Sequence, residues 1–530
     1  LGLNPYSSPA PTIDQQIQAI LSGQYYFISE NFYPINRNGT LGAVPQTLSP
    51  RLDNYAPYFQ DNWKASSRLT LTLGLRYDYY GAVTDQRGLL YGLADGNLQD
   101  ILNAPSLTYS LQGSGFYRPG GRNLAPSVGV AFDPSGNGRT AIRASYGISY
   151  VNDDFIGSFT DTLVSNVPDN NMGFSGPGTL ASISLPAPPT GGQVVTSPGT
   201  SAVVNDRLRT PYVQQWSLGV QHLIGGYVFD LRYVGNHAVR LWRTDELFGQ
   251  TNSFGLTNEL IYLSDPSGST YNALQFDVSH RVGPLQLQAN YTYSKALTDS
   301  NSFTSLGADP FRDPSNYSLD KGPAAFDIRH AFKANLVYDL PFGRGRSASM
   351  PLRPVLGGWS ISAIAIVTSG APFSILTGDN INPNQTANAS TVGLSKIVSY
   401  HMTGNGPSMI ASSAIAPNGT GTGYDASTGA YVPFANSPDQ VFFDPAAGQP
   451  GTLGPRSFYG PGYFNLDLAL QKRFRITERQ SLEFRCVAIN ALNHPAFGFF
   501  NQYIDIPGFG LGAAQINYSR SLQLRLYYRF

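Results

Sequence analysis

The sequence predicts an all-β protein, an antiparallel transmembrane β-barrel with short turns on one side and long loops on the other. Three observations carry that reading. Segments long enough to cross a bilayer alternate strictly between apolar and polar residues, their connections alternate in length, and the last alternating segment ends the chain on an aromatic residue. Helical period is almost absent. One exception is 12–21, where Thr12-Ile13-Asp14-Gln15 begins like a capping box and Ile13, Ile17, Ile20 and Leu21 share a face. A helix that short does not stand alone, so it is expected as a loop helix against the barrel.

The alternation is plainest in Leu69-Thr70-Leu71-Thr72-Leu73-Gly74-Leu75-Arg76-Tyr77. Odd positions are apolar or aromatic; even positions are small, polar or charged. Thirteen such segments are expected at 55–64, 68–80, 124–133, 139–151, 212–223, 227–243, 271–282, 284–296, 324–340, 357–369, 463–474, 481–489 and 519–530. A weaker fourteenth lies near 23–33. Many reach the ~9–11 residues a tilted strand needs to cross a bilayer, longer than the ~5–6 usual in soluble sheets.

Connections between these segments sort by length. Short ones (65–67, 134–138, 224–226, 283, 475–480) alternate with long ones (81–123, 152–211, 244–270, 297–323, 370–462, 490–518), and 341–356 is intermediate. Outer-membrane barrels have short periplasmic turns and long extracellular loops, whereas a soluble sandwich has no physical reason to sort its loops by side. Counting back from Phe530 places the C-terminus on the short-turn side.

Composition agrees. Charged residues make up 13% of the chain and aromatics 12%, with 32 Tyr, 30 Phe and only 4 Trp. Net charge is zero, so no global field favours nucleic acid as a partner. The single Cys486 excludes an internal disulfide framework and a cysteine metal cluster. No run is apolar enough for a transmembrane helix. In lipid every backbone group must be paired, which leaves a closed sheet as the spanning structure. The apolar face would meet lipid, where a mid-bilayer Lys or Arg costs about 2–4 kcal/mol. The alternate face would line a wet lumen and carry Arg76, Asp78, Arg143, Asp230, Arg232, Asp277, Arg281, Lys333, Glu483 and Arg485. Trp63, Trp216, Trp242 and Trp359 fall at or near strand ends and are expected in interfacial aromatic belts.

The final run, with Leu522, Leu524, Leu526, Tyr528 and Phe530 on one face, resembles the signal that the barrel assembly machinery reads as an edge strand. Tyr58-Phe59-Gln60-Asp61-Asn62-Trp63, followed by Leu69-Thr70-Leu71-Thr72-Leu73-Gly74-Leu75-Arg76-Tyr77, resembles a strand pair of TonB-dependent receptors. Phe326-Asp327-Ile328-Arg329-His330-Ala331-Phe332 with Pro341-Phe342-Gly343, Arg209-Thr210-Pro211-Tyr212, and Asn490-Ala491-Leu492-Asn493-His494-Pro495 are similar to the Oar-like branch of that family. The resemblance runs from about Tyr55 to Phe530. It implies a 22-stranded barrel plugged by an N-terminal globular domain, with a TonB box that docks to the energised inner-membrane complex and, in this branch, a further regulatory-like domain. About 14 strands of the 22 are expected here: 1–54 as a strand-and-loop region and 55–530 as the C-terminal part of the barrel. The chain opens on Leu1 with no leader-like stretch, so the plug and regulatory domain are expected on a longer protein.

Enzyme chemistry has no foothold in the sequence. The six His are scattered without metal-ligand spacing, and neither a nucleophile elbow nor a phosphate loop occurs. Asp153-Asp154 reads as a solvated loop edge. The loop run Thr377-Gly378-Asp379-Asn380-Ile381-Asn382 reads as solvated loop chemistry rather than a calcium site, and Asp133 to Gly138 as a hairpin turn. Arg329 and His330 are expected to stabilise the start of a strand. No cofactor is expected. The expected partners are outer-membrane lipid, the assembly machinery, the TonB complex through the N-terminal region, and an unknown ligand at the extracellular loops. The functional expectation is TonB-dependent uptake across the outer membrane. A passive porin-like channel, a surface adhesin with glycan-binding loops, and a secreted soluble β-protein stand as alternatives.

Overall fold

A computed structural model describes chiefly residues 49–89, 121–151, 200–248, 259–300, 316–342, 357–377, 454–477, 479–498 and 514–530, with shorter pieces between them and in the N-terminal region. Residues 12–20 of the expected 12–21 helix, Asp153-Asp154 and the residues after Thr377 in the Thr377 to Asn382 run lie outside the described residues, while Leu21 is helical and exposed.

The thirteen alternating segments form thirteen strands of one sheet. They are β1 (Tyr58–Lys64), β2 (Leu69–Tyr77), β3 (Leu124–Phe132), β4 (Thr140–Tyr150), β5 (Tyr212–Ile224), β6 (Tyr227–Phe248), β7 (Glu259–His280), β8 (Leu285–Thr298), β9 (His330–Asp339), β10 (Trp359–Thr368), β11 (Tyr463–Arg475), β12 (Ser481–Ile489) and β13 (Ser521–Arg529). Along this path each pairs with its sequence neighbours, always antiparallel, and two short strands join off the path, Thr200–Val204 on β7 and Gly322–Pro323 on β8. The sheet is therefore an up-and-down meander, the simplest connectivity that keeps loops from crossing.

Short turns join alternate pairs of strands, and their residues explain the reversals. Between β3 and β4 the Asp133 carboxylate accepts the backbone N–H groups of Gly136 and Gly138 at 2.9 and 2.8 Å. Both glycines have positive φ, where a side chain would be strained. Those hydrogen bonds, with two from the N–H and hydroxyl of Ser135, hold the Asp133 carboxyl below its ordinary value. The turn between β5 and β6 is Gly225-Gly226, again both at positive φ.

Four expectations need correction. Gln24–Asn31 is a strand, but it pairs with Asn171–Thr179 outside the large sheet, whose meander path holds thirteen strands among the described residues rather than fourteen. Its run Tyr25-Tyr26-Phe27-Ile28 lacks the two-residue alternation that gives a membrane strand unlike faces. Expected loop 244–270 is largely strand, because β6 and β7 stay paired out to Phe248 and Glu259. A register shift near Arg240, a non-glycine residue at positive φ, breaks the alternation there and hides the extension from sequence reading. β9 starts at His330 rather than near 324, since Asp327 and Arg329 are used in a side-chain network. Arg281 lies in the turn after β7, not on a strand face.

The described buried apolar residues do not form a core inside the sheet. Val83, Tyr117, Ala202, Val204, Leu208 and Leu263 cluster instead at the long-loop end. There Thr200–Val204 adds in parallel to the outer part of β7.

Candidate functional site

Strand register sorts the side chains into two unlike faces. One row crosses ten strands as Leu69, Phe132, Ile142, Val220, Leu231, Phe276, Tyr291, Phe332, Val367 and Phe464. The neighbouring row on the other face reads Thr70, Ala131, Arg143, Gly219, Arg232, Gln275, Thr292, Ala331, Thr368 and Tyr463. A one-residue step thus converts an unbroken apolar band into a polar wall. The band lacks protein cover: Leu231 is 49% exposed and Leu274 47%.

An aromatic belt with polar tips rims the band toward the long loops. Tyr146 donates to Gln214 at 3.1 Å, Tyr233 to Asn272 at 2.6 Å, and the Tyr291 hydroxyl meets His330 Nδ1 at 2.7 Å. At the short-turn end Tyr227 packs on His280 with ring centroids 4.2 Å apart. These belts are mostly Tyr and His, which sequence reading passed over in favour of the rarer Trp. Trp63 and Trp359 do stand at short-turn strand ends. Lys472 shares the apolar face of β11 but bends to the backbone carbonyl of Gly357, with its ammonium 5.2 Å from the Trp359 ring. Such snorkelling takes the charge toward the strand end. Trp216 sits further inside its strand and lies over Gly235 of β6. Trp242 departs from the expectation: it packs against the outer apolar cluster and donates its Nε1 hydrogen to the Arg209 carbonyl at 3.1 Å. The bulge at Arg240 turns it from the belt into the loop cluster.

The polar face carries most of the predicted charges, in separate groups rather than one constellation. Arg76 pairs with Asp78 at 2.7 Å, and Arg232 with Asp230 at 3.0 Å. Asp277 stands opposite Asp230 across β6 and β7. Arg143 donates to Gln221 at 2.9 Å. Lys333 stands between Asn290 and Ile366. Glu483, 3% exposed, is held by Arg473 at 3.2 Å and Arg529 at 3.1 Å. Arg485 is opposite Gln471 and Arg525. On β13, Leu522, Leu524, Leu526 and Tyr528 share the apolar face, and the Tyr528 ring lies 6.0 Å from that of Phe530.

At the outer ends the loops build a cap around buried charge that the sequence did not announce. Arg243 has a fully buried side chain, between Asp245 at 2.7 Å and Asp320 at 2.8 Å, and its guanidinium lies 4.5 Å from the Tyr317 ring. Desolvation pushes the Asp245 carboxyl up from its ordinary value, against the pull of Arg243. Desolvation likewise raises Tyr317, and it takes Tyr262 to about 12. The available signal was Leu241-Trp242-Arg243-Thr244-Asp245, where an Arg and an Asp share one strand face beside an aromatic. At the base of this cap Arg209, His237, Arg240, Asp265, Asp299 and Lys321 surround a cavity of about 430 Å³. Its Arg209 and Asp265 are paired at 2.7 Å. Among the described residues no three His, Cys, Asp or Glu side chains gather as a metal ion would need.

Two family-like motifs turn out to be fasteners. The Asp327 carboxylate, 1% exposed as a residue, accepts from the Ala296 N–H at 2.6 Å, from Arg329 at 3.1 Å and from the Tyr459 hydroxyl at 3.2 Å. It thereby ties the start of β9 to β8 and to the segment before β11. Asn490, at positive φ, gives its N–H to Asp467 and its side-chain amide to the carbonyls of His494 and Tyr518.

The family model described as "Outer membrane beta barrel domain" matches residues 8–523. This chain belongs to that family. The outer membrane is accordingly where this barrel domain resides. No curated protein matches the sequence. Among solved structures the barrel domain is similar to P. aeruginosa FpvA bound to a heterologous pyoverdine, at 14% identity over 93% of this chain and 41% of that one, with a TM-score of 0.42. The outer membrane transporter YddB from Escherichia coli aligns at 11% identity over 90% and 45%, with a TM-score of 0.44. The siderophore receptor PiuA from Acinetobacter baumannii aligns at 11% over 91% and 43%, with a TM-score of 0.40. This barrel domain spans less than half the length of each.

Proposed function

We propose that the chain is the barrel portion of an energised, TonB-dependent transporter that takes up a polar ligand through the outer membrane. The observation that supports it best is the polar wall opposite the apolar band. A face that carries Arg143, Arg232, Lys333, Glu483 and Arg485 toward the barrel axis suits a wet lumen with a polar plug docked in it. The strand-pair and Oar-like motifs favour the same reading. Ligand capture falls to the outer loops, and the cavity ringed by Arg209, Arg240, Asp265 and Lys321 is within the size range of small-molecule sites. Its mixed charge suits a polar or zwitterionic ligand.

Two measurements test the reading. Cells producing the natural protein should lose its ligand uptake when a protonophore collapses the inner-membrane gradient. The purified natural protein should give no steady conductance in planar bilayers. Uptake that persists without the gradient, together with stable open-channel currents, would place the protein among passive porins instead.

A further inference from the structure

We infer that the polar face of β11, β12 and β13 carries an oxyanion site near the short-turn end, centred on Arg485 and Arg525, which takes a phosphate group. The inference rests on strand register and hydrogen bonding and not on energised transport. A passive channel would keep the site, so the two readings fail separately.

Register gathers charge of one sign on this face in three successive rows. Arg475, Ser481 and Arg529 form the row nearest the turn; Arg473, Glu483 and Tyr527 form the next; Gln471, Arg485 and Arg525 form the third. Five guanidinium groups thus share the wall with a single carboxylate. β10 sets Ser360 opposite Gln471, at the far end of the third row. The next carboxylate on this face of β11, Asp467, lies toward the long-loop end. It already accepts from the Asn465 amide at 3.0 Å and the Asn490 N–H at 2.8 Å.

Glu483 is committed as well. It is buried, and its Oε2 takes both Arg473 and Arg529. Arg485 and Arg525 stand directly opposite each other, and among the described residues neither has an ion pair. Arg525 donates to the Gln523 side-chain oxygen at 2.7 Å. The Nε of Arg485 is buried and has no hydrogen-bond partner in the chain.

Two penalties therefore meet at one place. Like charges directly opposite on one sheet face are destabilising. A buried guanidinium N–H without an acceptor carries its full desolvation penalty. Ser360 and Gln471 offer hydrogen bonds but no negative charge. A single anion with several oxygens removes both penalties at once. Phosphate brings about −1.5 to −2 charges and enough oxygens to meet two guanidinium forks. A halide has no pair of oxygens for a fork, and one carboxylate fills only one fork.

The test uses the natural protein, purified in detergent micelles in a low-salt chloride buffer. Inorganic phosphate is titrated in a calorimeter, and the midpoint of heat-modifiable gel mobility is followed with and without it. Phosphate should bind the natural protein saturably and raise its midpoint. Arg525→Gln should weaken binding by roughly tenfold or more, as the loss of a charge-assisted hydrogen bond would. The order of the midpoints separates a ligand site from a structural contact. Without phosphate, Arg525→Gln should be the more stable protein, because the repulsion is gone. In saturating phosphate the natural protein should be the more stable. Arg525→Lys keeps the charge but not the fork, so it should bind more weakly with no gain in phosphate-free stability. Arg139→Gln, in the short turn between β3 and β4, should bind phosphate as the natural protein does. Three results overturn the inference: no binding to the natural protein, equal affinity in Arg525→Gln, or midpoints that keep their order when phosphate is added.

Discussion

Gly235 shows how much one residue can decide on the apolar face. The Trp216 ring lies so close that a Cβ at position 235 would stand 2.5 Å from it. Gly235→Val should push Trp216 off its strand partner and cost about 1–3 kcal/mol through overpacking. The drop would be read as a lower midpoint of heat-modifiable mobility on unboiled gels, with Trp fluorescence shifted. An unchanged midpoint and spectrum would mean that the ring has room.

Arg243 is the other residue on which much depends. It is the cation between two buried carboxylates, and removing one partner of such a group typically costs about 3–5 kcal/mol. Arg243→Met should therefore loosen the cap, seen as faster proteolysis of the outer loops with the membrane strands intact. The pH dependence follows from Asp245. Its folded-state pKa is raised from 3.8, so the folded cap favours the protonated form more than the unfolded chain does. The resulting stabilisation is full below the ordinary carboxylate value and is lost as pH rises through the raised one. Asp320, Tyr317 and Arg243 face the same carboxylate, and Asp245→Asn leaves them in place. Hydrogen-exchange protection of the cap should fall with rising pH in the natural protein and stay flat in the Asn variant.

Single elements reveal where sequence reading worked. β2 and β4 were legible because their alternation is unbroken and their turns are short and rich in Gly, Ser and Asp. β6 and β7 were legible only in their membrane part. Beyond Arg240 the bulge shifts the phase, and the residues that follow are chosen by the cap rather than by lipid and lumen. β10 is apolar on both faces, since Ile364 and Ile366 share the side of Lys333 and Asn335. Period alone gives its existence but not which face meets lipid; its register with β9 decides that.

The start of β9 is fixed by a network rather than by alternation. Asp327→Ala should leave the Ala296 N–H, Arg329 and the Tyr459 hydroxyl without that acceptor at a buried site. A loss of about 1–3 kcal/mol per unsatisfied buried group is expected. It should appear as raised exchange at Ala296 and in 454–462, whereas protection of the other strands is retained. Protection equal to the natural protein would show that water replaces the carboxylate without cost.

For the whole molecule, the residues that sequence reasoning grouped as lumen lining are spread over separate groups, and five of the ten, Arg76, Asp78, Asp230, Arg232 and Glu483, stand in ion pairs. Arg76 with Asp78 and Arg232 with Asp230 are neutralised locally, whereas Glu483 sits between two cations, Arg473 and Arg529. The two neutral pairs let their part of the polar wall carry charge without a strong net field. The apolar wall, by contrast, is continuous over ten strands and is the surface that the bilayer must cover. No pairwise list read from the sequence could separate these two outcomes, because both arise from register between strands far apart in the chain.

The sequence by itself determined the class, the existence of the thirteen strands of the meander (though not the separate pairing of the expected fourteenth), the side on which turns are short and, where alternation is unbroken, which residues share a face. These follow from a two-residue period and from turn chemistry, which are local and leave direct marks in residue order. Tertiary structure alone decided the cap, the Arg243 clasp, the cavity beneath it and the Asp327 fastener. Each depends on how distant segments meet, and burial or strand pairing at that distance has no period that a sequence can display.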